Sequence, residues 1–129
     1  MNQGGYSQIA TAGTIRVLII RPDNSYEVRE TQQDIRTWQR LVGGYIGAVH
    51  TERCTLWCDE EGKIKSYPTN DLATYLWRKV DPSAEGRDVL QGTVFVTGVA
   101  DEFGDSLPIP DEVVDLFNRL AEIARKHPE

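Results

Sequence analysis

Residues 15–20 read Ile-Arg-Val-Leu-Ile-Ile, a run that is rich in β-branched side chains and almost continuously apolar. Such a run is typical of a strand buried on both faces of a sheet, so we expect these residues to form the central strand. Turn-forming residues follow at 22–25. The next five residues alternate apolar with charged side chains, which predicts a hairpin partner with Tyr26 and Val28 facing inward.

The first helix is expected over residues 35–42, where apolar side chains recur at helical spacing. Thr31 and Asp34, which precede it, have the form of a capping box. Gly43 directly follows the last periodic residue and suits the left-handed conformation in which helices commonly end. The sequence therefore predicts both ends of this helix.

Two further helices are expected in the second half of the chain. Thr69 or Asn70 can cap the shorter one, which ends before Asp81 because a residue that precedes proline avoids the helical region. Pro110 suits the first turn of the longer one, which runs to about Lys126 with its apolar residues on one face.

Further strands are expected at residues 45–49, 55–58, 64–67 and 93–97, with 55–58 and 64–67 forming a second hairpin around a glycine-containing loop. The order of elements predicts an α+β fold. We expect a single domain over residues 14–127, with a mixed, mainly antiparallel sheet of about five or six strands and about three helices. Residues 1–13, rich in glycine and small polar residues, are expected to form a flexible arm.

The charge of the chain excludes some classes of partner. Its 129 residues include 14 Lys and Arg against 20 Asp and Glu, a formal charge of −6. Non-specific binding to nucleic acid or to anionic lipid needs a basic surface. No apolar run reaches the roughly 18 residues that span a bilayer, and the first residues lack the pattern of a signal peptide. We therefore expect a cytoplasmic protein that binds no membrane.

The nearest approach to a metal-binding motif is the spacing of His50, Cys54 and Cys58. Residues 55–58 favour a strand, in which the two cysteine backbones stand about 13 Å apart. That distance is too great for one zinc ion or for a disulfide, so we expect reduced thiols and no metal. The only other histidine, His127, lies near the chain end, which leaves no catalytic triad. We expect no cofactor and no enzymatic activity.

Residues 43–47 read Gly-Gly-Tyr-Ile-Gly and superficially resemble a phosphate-binding loop. Glycines that bind phosphate precede a helix and present its amides, whereas these follow one, so helix termination is favoured over ligand contact. Gly43 is sufficient to end the helix, so Gly44 and Gly47 call for another explanation. They would let another backbone or a ring approach closely, with Tyr45 beside them as a stacking surface.

Trp57 is expected to face away from its neighbours in the same strand. If Cys54, Leu56 and Cys58 face the core, the alternation of a strand turns Trp57 to the opposite face of the sheet. That face is either covered by a helix, which we favour, or open to a partner. The acidic residues at 101–105 lack the ligand alternation of a calcium loop and are expected to be solvated.

Several of these features together resemble a small domain-of-unknown-function family, number 3846, of actinobacteria and their phages. The specific part is Val42-Gly43-Gly44-Tyr45-Ile46, within a match from about Thr14 to Leu116. The other matching stretches are Arg21-Pro22, residues 60–63, Asn70 after Pro68, and residues 90–98. The family generally has an acidic residue where this chain has Gly47. The resemblance implies an accessory protein of a phage or actinobacterial genome, acting in the bacterial cytoplasm, with no established enzymatic activity to transfer.

The leading hypothesis is a non-enzymatic binding module that contacts a host or viral macromolecule. We expect its site to consist of Gly43, Gly44, Tyr45, Trp57, Tyr67 and Asn70. The expected partner is a protein with a basic surface, or a second copy of this chain, because the edges of an antiparallel sheet must be covered or paired.

The alternative hypothesis is a protein that binds or sequesters a nucleotide-like small molecule. In it, Asn70 contacts a base edge and Tyr45 stacks on the base. Arg21 or Arg78 would then pair with the phosphate.

Overall fold

A computed structural model describes residues 13–127, so the arm expected over residues 1–13 lies outside the described residues except for Gly13. Five strands and three helices follow one another along this part of the chain. They are β1 (Thr14–Ile20), β2 (Tyr26–Gln32), α1 (Ile35–Val42), β3 (Ile46–His50), β4 (Thr55–Asp59), α2 (Asp71–Val80), β5 (Val94–Thr97) and α3 (Asp111–Lys126). A short 3₁₀ turn, Pro82–Ala84, follows α2.

The five strands form one antiparallel sheet in the order β2-β1-β5-β4-β3. Two local hairpins, β1–β2 and β3–β4, supply the two sides, and β5 is inserted between them. The predicted α+β domain is confirmed. The prediction that residues 15–20 form the central strand is wrong, because the late strand β5 takes that position. β1 is nevertheless an interior strand, and its last four residues are at most 1% exposed.

Helices cover both faces of the sheet. One core lies between the sheet and the pair α2 and α3, and it contains Leu18, Leu56, Val96 and Phe117 among others. The second core lies under α1, where Trp38 packs against Phe95 and Trp57. Alternate residues of β1, β4 and β5 therefore enter different cores, which explains why residues 15–20 are apolar almost without interruption.

The helix ends follow the predicted signals with two exceptions, one at α1 and one at α3, which begins at Asp111 with Pro110 as its N-cap and not in its first turn. Gly43 ends α1 in the left-handed conformation, at φ 94°. Asn70 caps α2, which ends at Val80. The capping-box prediction is wrong in its first residue: Asp34 caps α1 by accepting a hydrogen bond from the Thr37 N–H, while Thr31 belongs to β2.

The second hairpin expected from residues 55–58 and 64–67 does not form. Residues 60–66 instead make consecutive turns, with hydrogen bonds from the Lys65 N–H to the Glu61 carbonyl and from the Tyr67 N–H to the Gly62 carbonyl. Ser66 has a left-handed backbone, at φ 59°, which interrupts an extended segment. Both sides of β4 are already paired with β3 and β5, so no ladder is left for another strand.

Tyr26 and Val28 lie on the inner face as expected, because they are opposite the core residues Ile20 and Leu18 in the β1–β2 ladder, but they are less buried than the expectation implied. Their side chains are 43% and 42% exposed, because β2 is the outermost strand of its side of the sheet. Tyr26 keeps one core contact, an edge-on packing of its ring against Phe117 at 4.8 Å between ring centroids.

Candidate functional site: the β3 edge of the sheet

The glycine pair before β3 allows the end of α1 to pack tightly on the turns that follow β4. A Cβ atom at Gly43 would lie 2.8 Å from the Tyr67 hydroxyl, and one at Gly44 would lie 2.6 Å from Lys65 Nζ. Neither position can therefore carry a side chain without a shift of its neighbours. The close approach expected at Gly44 is thus made by a lysine and its carboxylate partner. Gly47 has more room, with Glu60 at 3.5 Å.

An ion pair between the buried Asp59 and the partly exposed Lys65 joins the end of β4 to this glycine turn. Lys65 Nζ donates to Asp59 Oδ2 at 2.8 Å and to the Gly43 carbonyl at 3.2 Å. Burial alone would raise the pKa of Asp59, but hydrogen bonds from Lys65 and from the Glu61 N–H hold that pKa below its usual 3.8. The bond to Asp59 in turn raises the pKa of Lys65. The positive charge of Lys65 also interacts favourably with the Gly43 carbonyl at the negative end of the α1 dipole.

Tyr67 closes the same turn from the side of β5. A Cβ atom at Gly92 would lie 2.6 Å from the Tyr67 ring, and Lys65 Nζ lies 5.7 Å from the ring centroid. Gln91 Nε2 donates to the Tyr67 carbonyl at 2.7 Å. Three of the predicted site residues, Gly43, Gly44 and Tyr67, therefore meet in one packed turn that fixes where β3 begins.

Tyr45 directly precedes β3, and Trp57 lies beside β3 on the neighbouring strand β4. The Tyr45 side chain is 67% exposed, and its carbonyl accepts from the Glu60 N–H at 2.8 Å. Trp57 lies directly opposite Ala48 in the β3–β4 ladder, on the face that α1 covers. Its indole N–H donates to Thr97 Oγ1 at 3.0 Å, and the ring is only partly exposed. Tyr45 is thus the most accessible aromatic side chain at this edge.

Asn70 lies outside the accessible surface. Its side chain is fully buried, and its amide donates to the carbonyls of Ile20 and Gly92 at 2.9 and 2.8 Å. Its oxygen accepts from the Ala73 N–H at 3.1 Å. With these groups engaged, Asn70 joins β1, the segment two residues before β5 and the start of α2, and it presents nothing to a ligand.

The arginines of the expected nucleotide pocket are engaged elsewhere. Arg21 pairs with Glu27 on β2, and Arg78 donates to the Asp88 carbonyl at 3.3 Å. Together with the burial of Asn70, these contacts leave the predicted pocket of Tyr45, Asn70 and an arginine unassembled.

The outer edge of β3 carries backbone groups that face away from the sheet. The Glu60 N–H bonds to the Tyr45 carbonyl, and the Thr51 N–H bonds to the Cys54 carbonyl, so odd-numbered residues of β3 make the bonds to β4. In an antiparallel pair the intervening residues point their N–H and C=O groups the other way. Ile46, Ala48 and His50 therefore direct these groups outward, where no described strand pairs with them.

The two edges of the sheet differ in their chemistry. β2 is seven residues long and carries Glu27, Arg29 and Glu30, of which the first accepts hydrogen bonds from Arg21 and Arg29. Charged side chains of this kind discourage the addition of another strand. β3 reads Ile-Gly-Ala-Val-His and has no Lys, Arg, Asp or Glu. Of the two edges, β3 is the one chemically open to strand addition.

A cavity lies on each face of the sheet near β3, one in contact with Gly47, Ala48 and Val49 and the other in contact with β3 at Ile46 alone. The first, here named the Trp77 cavity, has a volume of about 340 Å³ and lies on the α2 side. Its lining includes Gly47, Cys58, Glu60, Lys63, Trp77 and Asp88. The second, the Trp38 cavity, has a volume of about 350 Å³ and lies on the α1 side. Its lining includes Asp34, Ile35, Trp38, Ile46, Trp57 and Asp105.

The cysteines near this edge have the character of structural thiols. Cys54 is buried, Cys58 is partly buried, and both are free. Burial raises the pKa of Cys58, with the neighbouring Asp59 charge acting in the same direction, so its thiol stays protonated at neutral pH. Within residues 13–127, no three His, Cys, Asp or Glu side chains are grouped closely enough to hold a metal ion.

Sequence reasoning did not find the residues that distinguish this edge. Ala48 and Glu60 were part of an expected strand and loop, and Asp105 was part of an expected solvated loop. The available signal was the contrast in charge between residues 26–32 and 46–50, which becomes meaningful once both segments are known to be edge strands.

The fold and the site of residues 13–127 define a small α+β domain with an antiparallel sheet between two helical layers, in which β3 is an edge strand without Lys, Arg, Asp or Glu and without a described outer neighbour. The chain belongs to the family described as Domain of unknown function (DUF3846), whose family model matches residues 15–122. No curated protein matches the chain, and no solved structure matches it. In the part of the chain that the structure describes, no helix combines the length and apolar character needed to cross a bilayer.

Proposed function

We propose that this protein is a non-enzymatic binding module that takes up an extended segment of a partner protein along β3. The observation that carries the proposal is the open backbone edge of Ile46, Ala48 and His50, with a cavity on each side. A strand added to a sheet edge gains its affinity from main-chain hydrogen bonds. Pockets that receive its alternate side chains supply the specificity.

The arrangement of groups along the β3 edge suits the binding of an extended peptide. Successive side chains of an added strand point to opposite faces of the sheet. The side chains on one face of the added strand would meet the Trp77 cavity, and those on the other face would meet the Trp38 cavity. Tyr45 lies exposed at the start of β3. The Gly43–Gly44 turn and the Asp59–Lys65 pair hold the start of β3 in place, so the edge is preorganised and little ordering entropy is lost on binding.

The biological setting that we propose follows from the family resemblance. The protein would be an accessory protein of an actinobacterium or of one of its phages, and it would act in the bacterial cytoplasm on a host or viral protein. The formal charge of −6 supports a protein partner over non-specific nucleic-acid binding.

The proposal is tested by selecting decapeptides from a random library on the immobilised protein and measuring their binding to edge variants. Ala48→Pro removes an N–H that points outward, so it should preserve the fold and weaken peptide binding by about tenfold or more. Ala48→Ser is the matched control, because it keeps the N–H at the same position. Circular dichroism and thermal melting establish that both variants fold.

Amide hydrogen exchange supplies a second measurement on the unaltered protein. The N–H groups of Ile46, Ala48 and His50 should exchange quickly in the free protein and become protected with a selected peptide bound. Selected peptides that bind Ala48→Pro as well as Ala48→Ser, or that leave these amides unprotected, would refute binding along β3. A library that yields no binding peptide would also count against the proposal.

A further inference from the structure

The carboxylates around the β3 edge are only partly balanced by cations. In the Trp77 cavity, Lys63 pairs with Asp88 at 2.7 Å, and the buried Asp59 is neutralised by Lys65. Glu60 remains, exposed and without an ion-pair partner among the described residues. One negative charge is therefore left on this side of β3.

The Trp38 cavity has the same sign of charge. Asp34 and Asp105 are its charged lining residues, and neither forms an ion pair within residues 13–127. Asp34 is held as the cap of α1, which fixes its position beside the cavity. Arg36 and Arg40 line a recess beside the Gly43–Gly44 turn. Hydrogen bonds from Thr37, together with the charge of Arg40, lower the pKa of Asp34, so this carboxylate is already stabilised within the protein. Glu60 on one face and Asp105 on the other are thus the carboxylates that remain without a cation among the described residues.

We infer that the segment bound along β3 carries basic side chains on both of its faces, one toward Glu60 and the other toward Asp105. This inference rests on the proposed function. A Lys or Arg at two adjacent positions of an extended peptide would satisfy it, because adjacent side chains point to opposite faces. Complementary charge of this kind speeds association and excludes partners of the wrong sign.

The same charges disfavour a second copy of this chain as the occupant. If two β3 edges paired about a two-fold axis, each copy would bring its own Glu60 and Asp105 to the joint, and the overall charge of −6 would be doubled. Charge complementarity therefore selects a basic partner segment over self-association.

The test uses three synthetic nonapeptides of one Thr/Val sequence that differ at two adjacent central positions, which are Lys-Lys, Gln-Gln or Glu-Glu. Fluorescence anisotropy at low salt should rank their affinities in that order, with Lys-Lys about tenfold tighter than Glu-Glu. Glu60→Gln and Asp105→Asn should each reduce the preference for Lys-Lys over Gln-Gln by about two- to fivefold. Raising the salt concentration to 0.5 M should also reduce the preference of the unaltered protein for Lys-Lys over Gln-Gln.

A surface control places the same change away from β3. Glu112→Gln, on the exposed start of α3, should leave the ranking of the peptides unchanged. Equal binding of all three peptides, with the amides of β3 protected, would overturn the inference and leave the proposed function standing. Failure of every peptide to bind or to protect those amides would overturn both. Self-association of the protein along β3, seen as a concentration-dependent mass and protected amides, would also overturn the inference.

Discussion

Replacing Asn70 by alanine tests whether this buried amide holds three elements together. The substitution removes the cap of α2, for which about 1 kcal/mol of stability is expected to be lost. It also leaves the buried carbonyls of Ile20 and Gly92 without their amide donors, at about 1–2 kcal/mol each. The expected loss in the free energy of unfolding is therefore about 3–5 kcal/mol in all.

Two further variants separate these contributions. Asn70→Ser keeps an oxygen that can cap the helix but lacks the amide, so it should lose about 2–4 kcal/mol. Asp34→Ala removes the exposed cap of α1, which accepts from the backbone and side chain of Thr37, and it should lose about 1 kcal/mol.

Urea unfolding followed by circular dichroism at 222 nm measures all three variants against the unaltered protein, with unchanged dependence on urea as the check for two-state behaviour. A loss for Asn70→Ala no greater than that for Asp34→Ala would show that the two buried hydrogen bonds contribute nothing. In that case the structural role assigned to Asn70 would be wrong.

Two other predictions concern the glycine turn. Gly44→Ala places a Cβ atom 2.6 Å from Lys65 Nζ and 2.8 Å from an Asp59 oxygen, so it should lower the free energy of unfolding in urea by about 1–3 kcal/mol. Gly47→Ala, with its nearest neighbour at 3.5 Å, should change it by no more than about 0.5 kcal/mol. Because the folded pKa of Asp59 lies below its unfolded value of 3.8, its contribution to stability is present above that pH and is lost as the pH falls through the folded pKa. The urea midpoint measured from pH 6 to pH 2.5 should therefore fall more steeply for the unaltered protein than for Asp59→Asn, and equal slopes would contradict this assignment.

The sequence was most informative where a local signal acts over a few residues. The left-handed end of α1 at Gly43, the cap of α2 at Asn70 and the end of α2 before Asp81 all follow from side-chain and backbone chemistry within one helical turn. The apolar run of β1 likewise predicted a strand buried on both faces. These features depend little on what the rest of the chain does.

Prediction failed where the outcome depended on competition between distant segments. Residues 64–67 have the composition of a strand, yet β5 occupies one side of β4 and β3 the other, so the segment folds into turns. Tyr26 and Val28 alternate as in a half-buried strand, but an edge position leaves both largely uncovered. By contrast, the favoured interpretation of the Trp57 face, that a helix covers it, is confirmed, because Trp38 of α1 packs against Trp57.

The sequence by itself determined the α+β class, the acidic charge and most helix ends, because these depend on composition and on interactions between near neighbours. Only the tertiary structure decided that β2 and β3 are the two edges and that β5 joins the two hairpins, since strand order depends on long-range pairing. It also placed Gly44 against Lys65 and buried Asn70 beneath the surface. The open backbone of β3 between two acidic cavities exists only once those distant segments have come together.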